Sequence, residues 1–158
     1  MILPFSQKFK NGEATHFLEK IWKNEELWTE EEAIEFSNKA GSLGFDDWFL
    51  ETVKPKIHTI RADAKNRWKA GMKIHAVFNN RTKDMYQFCP TFVCTGVQTI
   101  EIKSMGVNRY VKIDGKLISW VKLKILASND GFENVSDFFE YFYVDFKGKI
   151  IHFTDFRY

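Results

Sequence analysis

The chain is poor in the residues that mark fibrous, linker-rich or disulfide-stabilised proteins. Its 158 residues include 3 Pro, 9 Gly and 2 Cys, which excludes a collagen-like or linker-dominated chain. No apolar run approaches the ~20 residues that a membrane-spanning helix needs. The apolar start is short and lacks a small-residue cleavage site, so it does not match a secretory signal peptide. We therefore expect a soluble, cytoplasmic protein that does not associate with membranes.

The two cysteines and four histidines form neither a disulfide pattern nor a metal-binding pattern. Cys89 and Cys94 are five residues apart in an apolar stretch. If that stretch is one strand, the odd spacing places the side chains on opposite faces and about 17 Å apart, beyond disulfide reach. The histidines are scattered and complete no zinc motif. The sequence thus indicates free cysteines, no metal and no cofactor.

The chain does have enough hydrophobic and aromatic residues to build a core. Hydrophobic residues make up 44% and aromatic residues 16%, with 16 Phe, 5 Tyr and 5 Trp. A disordered protein does not carry this content. Because the length is near that of one domain, we expect residues 1–158 to form a single domain.

The charge is nearly balanced overall but unevenly distributed along the chain. The formal net charge is +2. Residues 12–53 hold 11 acidic and 3 basic residues, whereas residues 54–83 hold 9 basic residues and 1 acidic residue. The acidic stretch is most simply the solvated face of a helical lobe. A function that needs positive charge is expected in the basic stretch.

Helical signals dominate the first third of the chain. Thr29 and Glu32 have the spacing of a capping box, in which each side chain bonds the backbone N–H of the other residue. Gly41 can end the helix that follows. The expected elements are a strand at residues 2–5, helices over about 14–24 and 29–40, and a short helix or turn within 44–52.

After Pro55 the pattern changes to strands. Asp114 and Gly115 are suited to a tight hairpin turn, and the alternation beyond them predicts a strand from Lys116 to Leu126. The whole is α+β and mainly β, compatible with a small, partly open barrel. The other expected elements are strands at 73–78, 92–102, 110–113 and 149–153 and a helix at 135–143.

The basic segment combines cations with a hydroxyl and an indole. Lys and Arg neutralise phosphates, and an aromatic face stacks a base for roughly 1–3 kcal/mol. This combination predicts binding of a nucleotide or of single-stranded nucleic acid. The alternative is a solvated turn with its tryptophan in the core. The predicted ligand-binding residues are Lys56, Arg61, Arg67, Trp68, Lys69 and Lys73, together with Trp120 from outside the segment.

Lys56 and Thr59 also permit an enzymatic interpretation. A lysine of lowered pKa can activate a threonine hydroxyl for attack on an acyl or amide carbon. Three residues apart on a straight strand, the two side chains point to opposite faces, whereas at a bend they converge. Asp130 and Gly131, between the predicted long strand and the last helix, are typical of a turn.

Four segments, in order along the chain, carry a family resemblance. They are KPKIHTIRAD, NRWKAGMKIH, ILASNDGFENVSDFFEYF and GKIIHFTDFRY, of which K-x-x-T-x-R and the later G-F before a helix are the most specific parts. Together they resemble the ASCH domain of the PUA-like superfamily, in particular small phage-encoded and bacterial members. The resemblance implies a PUA-like β-barrel with surrounding helices, a cleft lined by the Lys56 motif, and an inserted helical lobe at about 13–53.

The resemblance also implies a function. ASCH and PUA-like domains are associated with RNA or modified-nucleoside binding, and some ASCH members hydrolyse N4-acetylcytidine or cleave RNA. The catalytic lysine, threonine and glutamate of the amidohydrolase branch correspond to Lys56, Thr59 and Asp130, where the aspartate is one methylene shorter. The preferred partner is RNA or a nucleotide, and an amidohydrolase or ribonuclease is the alternative. A third hypothesis is a scaffold whose acidic lobe binds a protein, and the sequence leaves the oligomeric state open.

Overall fold

Five α-helices and nine β-strands make up the described part of the chain in the computed structural model, which covers residues 1–40, 47–105 and 108–158. The predicted α+β, mainly β class is confirmed. The strands are β1 (Ile2–Pro4), β2 (His58–Arg61), β3 (Lys73–Phe78), β4 (Tyr86–Gln87), β5 (Phe92–Val93), β6 (Gly96–Met105), β7 (Asn108–Ile113), β8 (Lys116–Leu117) and β9 (Phe146–His152). The helices are α1 (Phe17–Trp22), α2 (Glu30–Ala40), α3 (Asp47–Thr52), α4 (Trp120–Asn129) and α5 (Val135–Tyr141), with a 3₁₀ turn at Glu25–Leu27.

The strands form two sheets, and their pairing within the described ranges does not close a barrel. The first sheet is built around β3, which pairs with β1 in parallel and with β4 and β5 in antiparallel orientation. The second sheet has the order β2-β9-β6-β7-β8 and is antiparallel throughout. β2 is therefore an edge strand, with Thr59 opposite Ile151 and Arg61 opposite Lys149.

The buried hydrophobic side chains form two cores, and β9 contributes Ile151 to the first and Ile150 to the second. The first core includes Trp68, Phe88 and Phe92, and α1 packs on it through Ile21. The second core lies between the second sheet and helices α4 and α5, and Phe138 is fully buried in it. The high aromatic content of the sequence is thus used mainly in packing.

Several local predictions are confirmed. The Thr29 hydroxyl accepts a hydrogen bond from the Glu32 N–H at 3.2 Å, and the Glu32 carboxylate accepts one from the Thr29 N–H at 2.9 Å. Asp114 and Gly115 both have positive φ, +47° and +77°, as the tight hairpin between β7 and β8 requires. The predicted helix end at Gly41 and the first residues of 44–52 lie outside the described residues. No helix in the described ranges is long and apolar enough to cross a bilayer.

The predicted strand from Lys116 to Leu126 is wrong beyond Leu117, because the chain turns into helix α4. The Ser119 side chain caps this helix by accepting a hydrogen bond from the Lys122 N–H. Leu123, Leu126 and Ala127 are buried at helical spacing. The alternation of apolar and polar residues is real, but three buried contacts on the second core outweigh it.

The predicted strand over 92–102 is two strands that belong to different sheets. β5 pairs with β3, whereas β6 pairs with β9. Cys94 and Thr95 carry the chain from one sheet to the other, and the Thr95 N–H donates to the His152 carbonyl at 2.9 Å. A stretch rich in β-branched residues predicts extended backbone, but it does not show where one strand ends and the next begins to pair with a different neighbour.

Gly131 connects α4 to the loop before α5 and brings this loop close to α1. Its φ is +91°, and a Cβ atom built on it would lie 3.0 Å from Cε1 of Phe17 and 3.5 Å from Cδ of Lys56. Both the backbone conformation and the space require glycine at this position.

We predict that Gly131→Ala lowers the free energy of unfolding by about 2–4 kcal/mol, because a close contact is added to the cost of positive φ. Gly12→Ala is the matched control, since Gly12 has φ +89° and its Cβ would meet no atom within 4 Å. Only the conformational cost, about 1 kcal/mol, is expected there. Urea unfolding followed by circular dichroism measures both values. Equal losses in the two variants would contradict the steric explanation.

Candidate functional site

The segment before β2 brings Lys56 between two helices. The Lys56 N–H donates to the carbonyl of Lys20 in α1 at 2.8 Å, and the Ile57 N–H donates to the carbonyl of Asn129, the last residue of α4, at 3.1 Å. These backbone bonds hold the Lys56 side chain beside Asp130, the residue that caps the C-terminus of α4. The tertiary fold thereby joins two positions 74 residues apart.

Lys56 and Asp130 form a buried ion pair. The distance from Lys56 Nζ to Asp130 Oδ1 is 2.5 Å, and Nζ also donates to the Asp130 carbonyl oxygen. Only 1% of Lys56 and 4% of Asp130 is exposed to solvent. Lys56 Nζ lies 4.5 Å from the centre of the Phe17 ring, which adds a cation–π contact.

Burial acts on the two members of the pair in opposite directions. It lowers the pKa of Lys56 to about 8, and the attraction of Asp130 opposes this shift. Burial raises the pKa of Asp130, while the Lys56 and Arg61 charges lower it. A lysine with a pKa near 8 is deprotonated in part at neutral pH, so Lys56 has the chemistry of a general base.

A polar network that the sequence analysis did not predict continues from this pair. His58 Nδ1 lies 3.7 Å from Asp130 Oδ1, and His58 Nε2 lies 2.7 Å from the Tyr158 hydroxyl. Asn129 donates to the same hydroxyl at 3.0 Å. Burial, together with the charges of Lys56 and His152, lowers the pKa of His58 well below its usual value, so the ring is neutral.

The signal that could have indicated this network is the position of His58 in the motif, two residues after Lys56. In a strand, residues i and i+2 share a face. The Tyr158 partner could not be found in this way, because it lies 100 residues further along the chain.

Thr59 is placed differently from the other two residues of the predicted catalytic set. It is 1% exposed, and its hydroxyl oxygen has no hydrogen-bond partner among the described residues. It is therefore not hydrogen-bonded to Lys56 or to Asp130. The structure joins Lys56 with Asp130 directly and leaves Thr59 as a separate buried hydroxyl on β2.

Arg61 lies at the end of β2 and lines a cleft of about 510 Å³. Its guanidinium donates to the carbonyls of Ile60 and Pro4 at 3.0 and 2.8 Å, and it lies 5.3 Å from the centre of the Phe5 ring. No carboxylate in the described ranges is within ion-pair distance of it, although Asp130 attracts it at longer range. We call this cavity the Arg61 cleft; its lining residues are Pro4, Phe5, Ser6, Gln7, Arg61, Asn79, Asn80 and Tyr141.

The other predicted ligand-binding residues do not gather at this cleft. Trp68 is 6% exposed within the first core, so its ring presents no free face to a base. Lys73 begins β3 and Asn79 follows its end, which places them about 20 Å apart. Arg67 and Lys69 are exposed on the loop before β3. Trp120 is 61% exposed at the start of α4.

The Arg67 loop is ordered by one carboxylate. Asp63 accepts hydrogen bonds from the N–H groups of Arg67 and Trp68, both at 3.0 Å. These backbone bonds turn the chain so that Trp68 enters the core. The basic loop is therefore a solvated turn with a core tryptophan, the simpler of the two interpretations of this segment.

Both cysteines lie in the first core. Cys89 and Cys94 are buried free thiols, and burial raises the pKa of both. Within the described part of the chain, no group of three His, Cys, Asp or Glu side chains could hold a metal ion.

Comparison of the chain with protein-family models, with curated proteins and with solved structures finds no match. The site is therefore interpreted from its own residues.

We predict that Lys56→Met and Asp130→Leu each destabilise the protein by about 3–5 kcal/mol, because each leaves an uncompensated buried charge. The double variant should lose less than either single variant, since no buried charge is left. Urea unfolding at pH 7 gives the free energy of unfolding of the unmodified protein, the two single variants and the double variant. Lys39→Gln is the control, because Lys39 pairs with Glu35 at the surface and both side chains are more than 60% exposed. Additive losses in the double variant would show that the pair is not coupled.

Proposed function

We propose that the protein binds RNA or a nucleotide, with a phosphate group held by Arg61 in the Arg61 cleft. The observation that carries this proposal is the state of the Arg61 guanidinium, a half-buried cation with no carboxylate partner among the described residues. Its remaining N–H groups have the fork geometry that binds phosphate oxygens in pairs. Because burial weakens competition from water, such a contact is stronger than one with an exposed lysine.

The rest of the cleft suits a base or a nucleoside. Tyr141 supplies a partly exposed aromatic ring, and the half-buried side chain of Asn80 makes no hydrogen bond to a described residue. An amide can both donate to and accept from the edge of a base. The volume of about 510 Å³ is within the range of small-ligand sites.

Binding of a longer RNA strand is supported by the loop that follows β3. This loop begins with Asn79 and Asn80 in the cleft wall and continues to Arg81 and Lys83, which are exposed. A strand that places one phosphate on Arg61 can place later phosphates on these two cations. The resemblance to ASCH domains, in which the K-x-x-T-x-R element lines a nucleic-acid or nucleoside site, agrees with this assignment and is part of the proposal.

We predict that Arg61→Ala weakens binding of a fluorescently labelled single-stranded RNA by about 10–100-fold, the usual cost of losing a charge-assisted contact. The dependence of log K on log salt should become shallower by about one charge. Fluorescence anisotropy over a salt series measures both quantities. Arg61→Lys should recover the salt slope but only part of the affinity, because a lysine cannot bind two phosphate oxygens in one plane.

Lys69→Ala is the matched control, since it removes an exposed cation from the loop before β3. It should change affinity less than twofold. If Arg61→Ala and Lys69→Ala weaken binding equally, the binding is diffuse and the Arg61 cleft is not the site.

The second candidate function is hydrolysis of an acylated base or nucleoside. It is favoured by one observation, the buried Lys56 whose pKa is lowered to about 8 beside Asp130. A neutral Lys56 would take the proton of the Thr59 hydroxyl as its oxygen attacks the amide carbon. The carbon–nitrogen bond then breaks, the leaving amine takes that proton, and water hydrolyses the resulting ester to restore Thr59.

Binding is better supported than hydrolysis for a geometric reason. A base and its nucleophile need to be within hydrogen-bond reach. In this structure Lys56 is bonded to Asp130, and the Thr59 hydroxyl has no hydrogen-bond partner in the described part of the chain. The hydrolytic function therefore requires a side-chain rearrangement that the binding function does not.

For the hydrolytic function, we predict turnover of N4-acetylcytidine to cytidine, followed by liquid chromatography. The rate should rise with pH and level off above about pH 8, because Lys56 acts as a base only after losing its proton. Thr59→Val should abolish turnover, and Thr59→Ser should keep part of it because it retains a hydroxyl. Turnover that persists in Thr59→Val would eliminate Thr59 as the nucleophile. Absence of turnover in the unmodified protein would leave binding as the function.

A further inference from the structure

Helix α4 carries apolar side chains on the face that points away from the core. Trp120 and Val121 are each 61% exposed, and Ile125 is 41% exposed. Residues three to four apart are neighbours on a helix surface, so Val121 and Ile125 form one patch, and Trp120 precedes them at the start of the helix. Leu117, 66% exposed just before the helix, extends it. Contiguous exposed apolar surface of this kind marks an interaction site.

The same face is positively charged. Residues 115–129 contain Lys116, Lys122 and Lys124 and no acidic residue. All three lysines are exposed, and none of them forms an ion pair with a described residue. We call Leu117, Trp120, Val121 and Ile125 with these three lysines the α4 face. A partner for it must be both apolar and acidic.

Helix α2 of the same chain has a surface of this chemistry. Its inner side carries Phe36, whose ring lies 6.2 Å from the Trp22 ring. Its outer side carries Ile34, which is 54% exposed. Glu30, Glu31 and Glu35 flank Ile34 on this outer side at helical spacing. We call these four residues the α2 face.

The carboxylates of the α2 face are available for a partner. Within the described residues its only ion pair joins Glu35 to Lys39 of the same helix, at 2.5 Å, and both side chains are more than 60% exposed. An exposed ion pair of this kind adds little to the free energy of folding, so its carboxylate can readily pair with a cation of a partner instead.

We propose that a second copy of this chain is the partner, and that the α2 face of each copy packs on the α4 face of the other. The two helices have 11 and 10 residues, so their lengths match at about 15 Å. An apolar centre, Ile34 against Val121 and Ile125, is surrounded by opposite charges. Two such contacts related by a twofold axis close a dimer. The inference goes beyond the proposed function and does not depend on it.

The test uses charge reversal in two variants. Lys122→Glu with Lys124→Glu makes the α4 face acidic, and Glu31→Lys with Glu35→Lys makes the α2 face basic. All four positions are exposed, and Glu32 is left unchanged because it belongs to the capping box. The helical circular dichroism signal and the unfolding midpoint of each variant establish that the fold is retained.

Sedimentation velocity over a concentration series gives the oligomeric state. The unmodified chain is expected to dimerise, and each reversed variant alone is expected to be monomeric at the same concentration. An equimolar mixture of the two variants should dimerise again, because opposite charges then meet in both contacts. The acidic α2 face of the first variant meets the basic α4 face of the second, and the basic α2 face of the second meets the acidic α4 face of the first. A rise in the dissociation constant with salt is expected for the unmodified chain.

Three outcomes would overturn the proposal. The first is a chain that stays monomeric up to about 1 mM. The second is a dimer that neither reversal weakens, or a mixture that stays monomeric. The third is a monomer that binds vesicles containing anionic lipid and loses that binding in Trp120→Ala, which would assign the α4 face to a membrane surface. Lys65→Glu, an exposed charge reversal outside both faces, is the control for all three measurements.

Discussion

The buried ion pair between Lys56 and Asp130 is the contact on which the arrangement of the second sheet and its helices depends. Two charges removed from water are tolerated only when they are close and their remaining bonding capacity is satisfied. Lys56 therefore fixes the segment before β2 against the C-terminus of α4, and Gly131 leaves room for Phe17 beside them. The network through His58 to Tyr158 extends this constraint to the final residue of the described chain.

This constraint divides the K-x-x-T-x-R element into an inner part and an outer part. Lys56 points into the protein and is neutralised there, whereas Arg61, at the other end of β2, reaches a cleft without a carboxylate partner among the described residues. A motif that the sequence presents as one basic segment thus supplies one cation that is paired inside the protein and one that lines a cleft.

Local features could be predicted wherever neighbouring residues decide them. The capping box of Thr29 and Glu32 and the hairpin at Asp114 involve partners close in sequence, so their chemistry is complete in a short window. The strand predicted beyond Leu117 was wrong because apolar residues of this segment also occur at helical spacing, and packing of Leu126 on a distant core decided between the two structures. The same applies to the candidate site. The sequence identified Lys56 and Arg61, but it could not show which of the two would be neutralised by a carboxylate.

The sequence alone determined the α+β composition, the uneven distribution of charge, the capping box and the β7–β8 turn, because each depends on residue type or on neighbours a few positions apart. Only the tertiary structure decided that Asp130 meets Lys56, that Trp68 is buried, and that Arg61 has no carboxylate beside it among the described residues. These outcomes depend on contacts across many tens of residues. The free energies of these contacts come from the transfer of groups out of water, and that transfer takes place only when the chain folds.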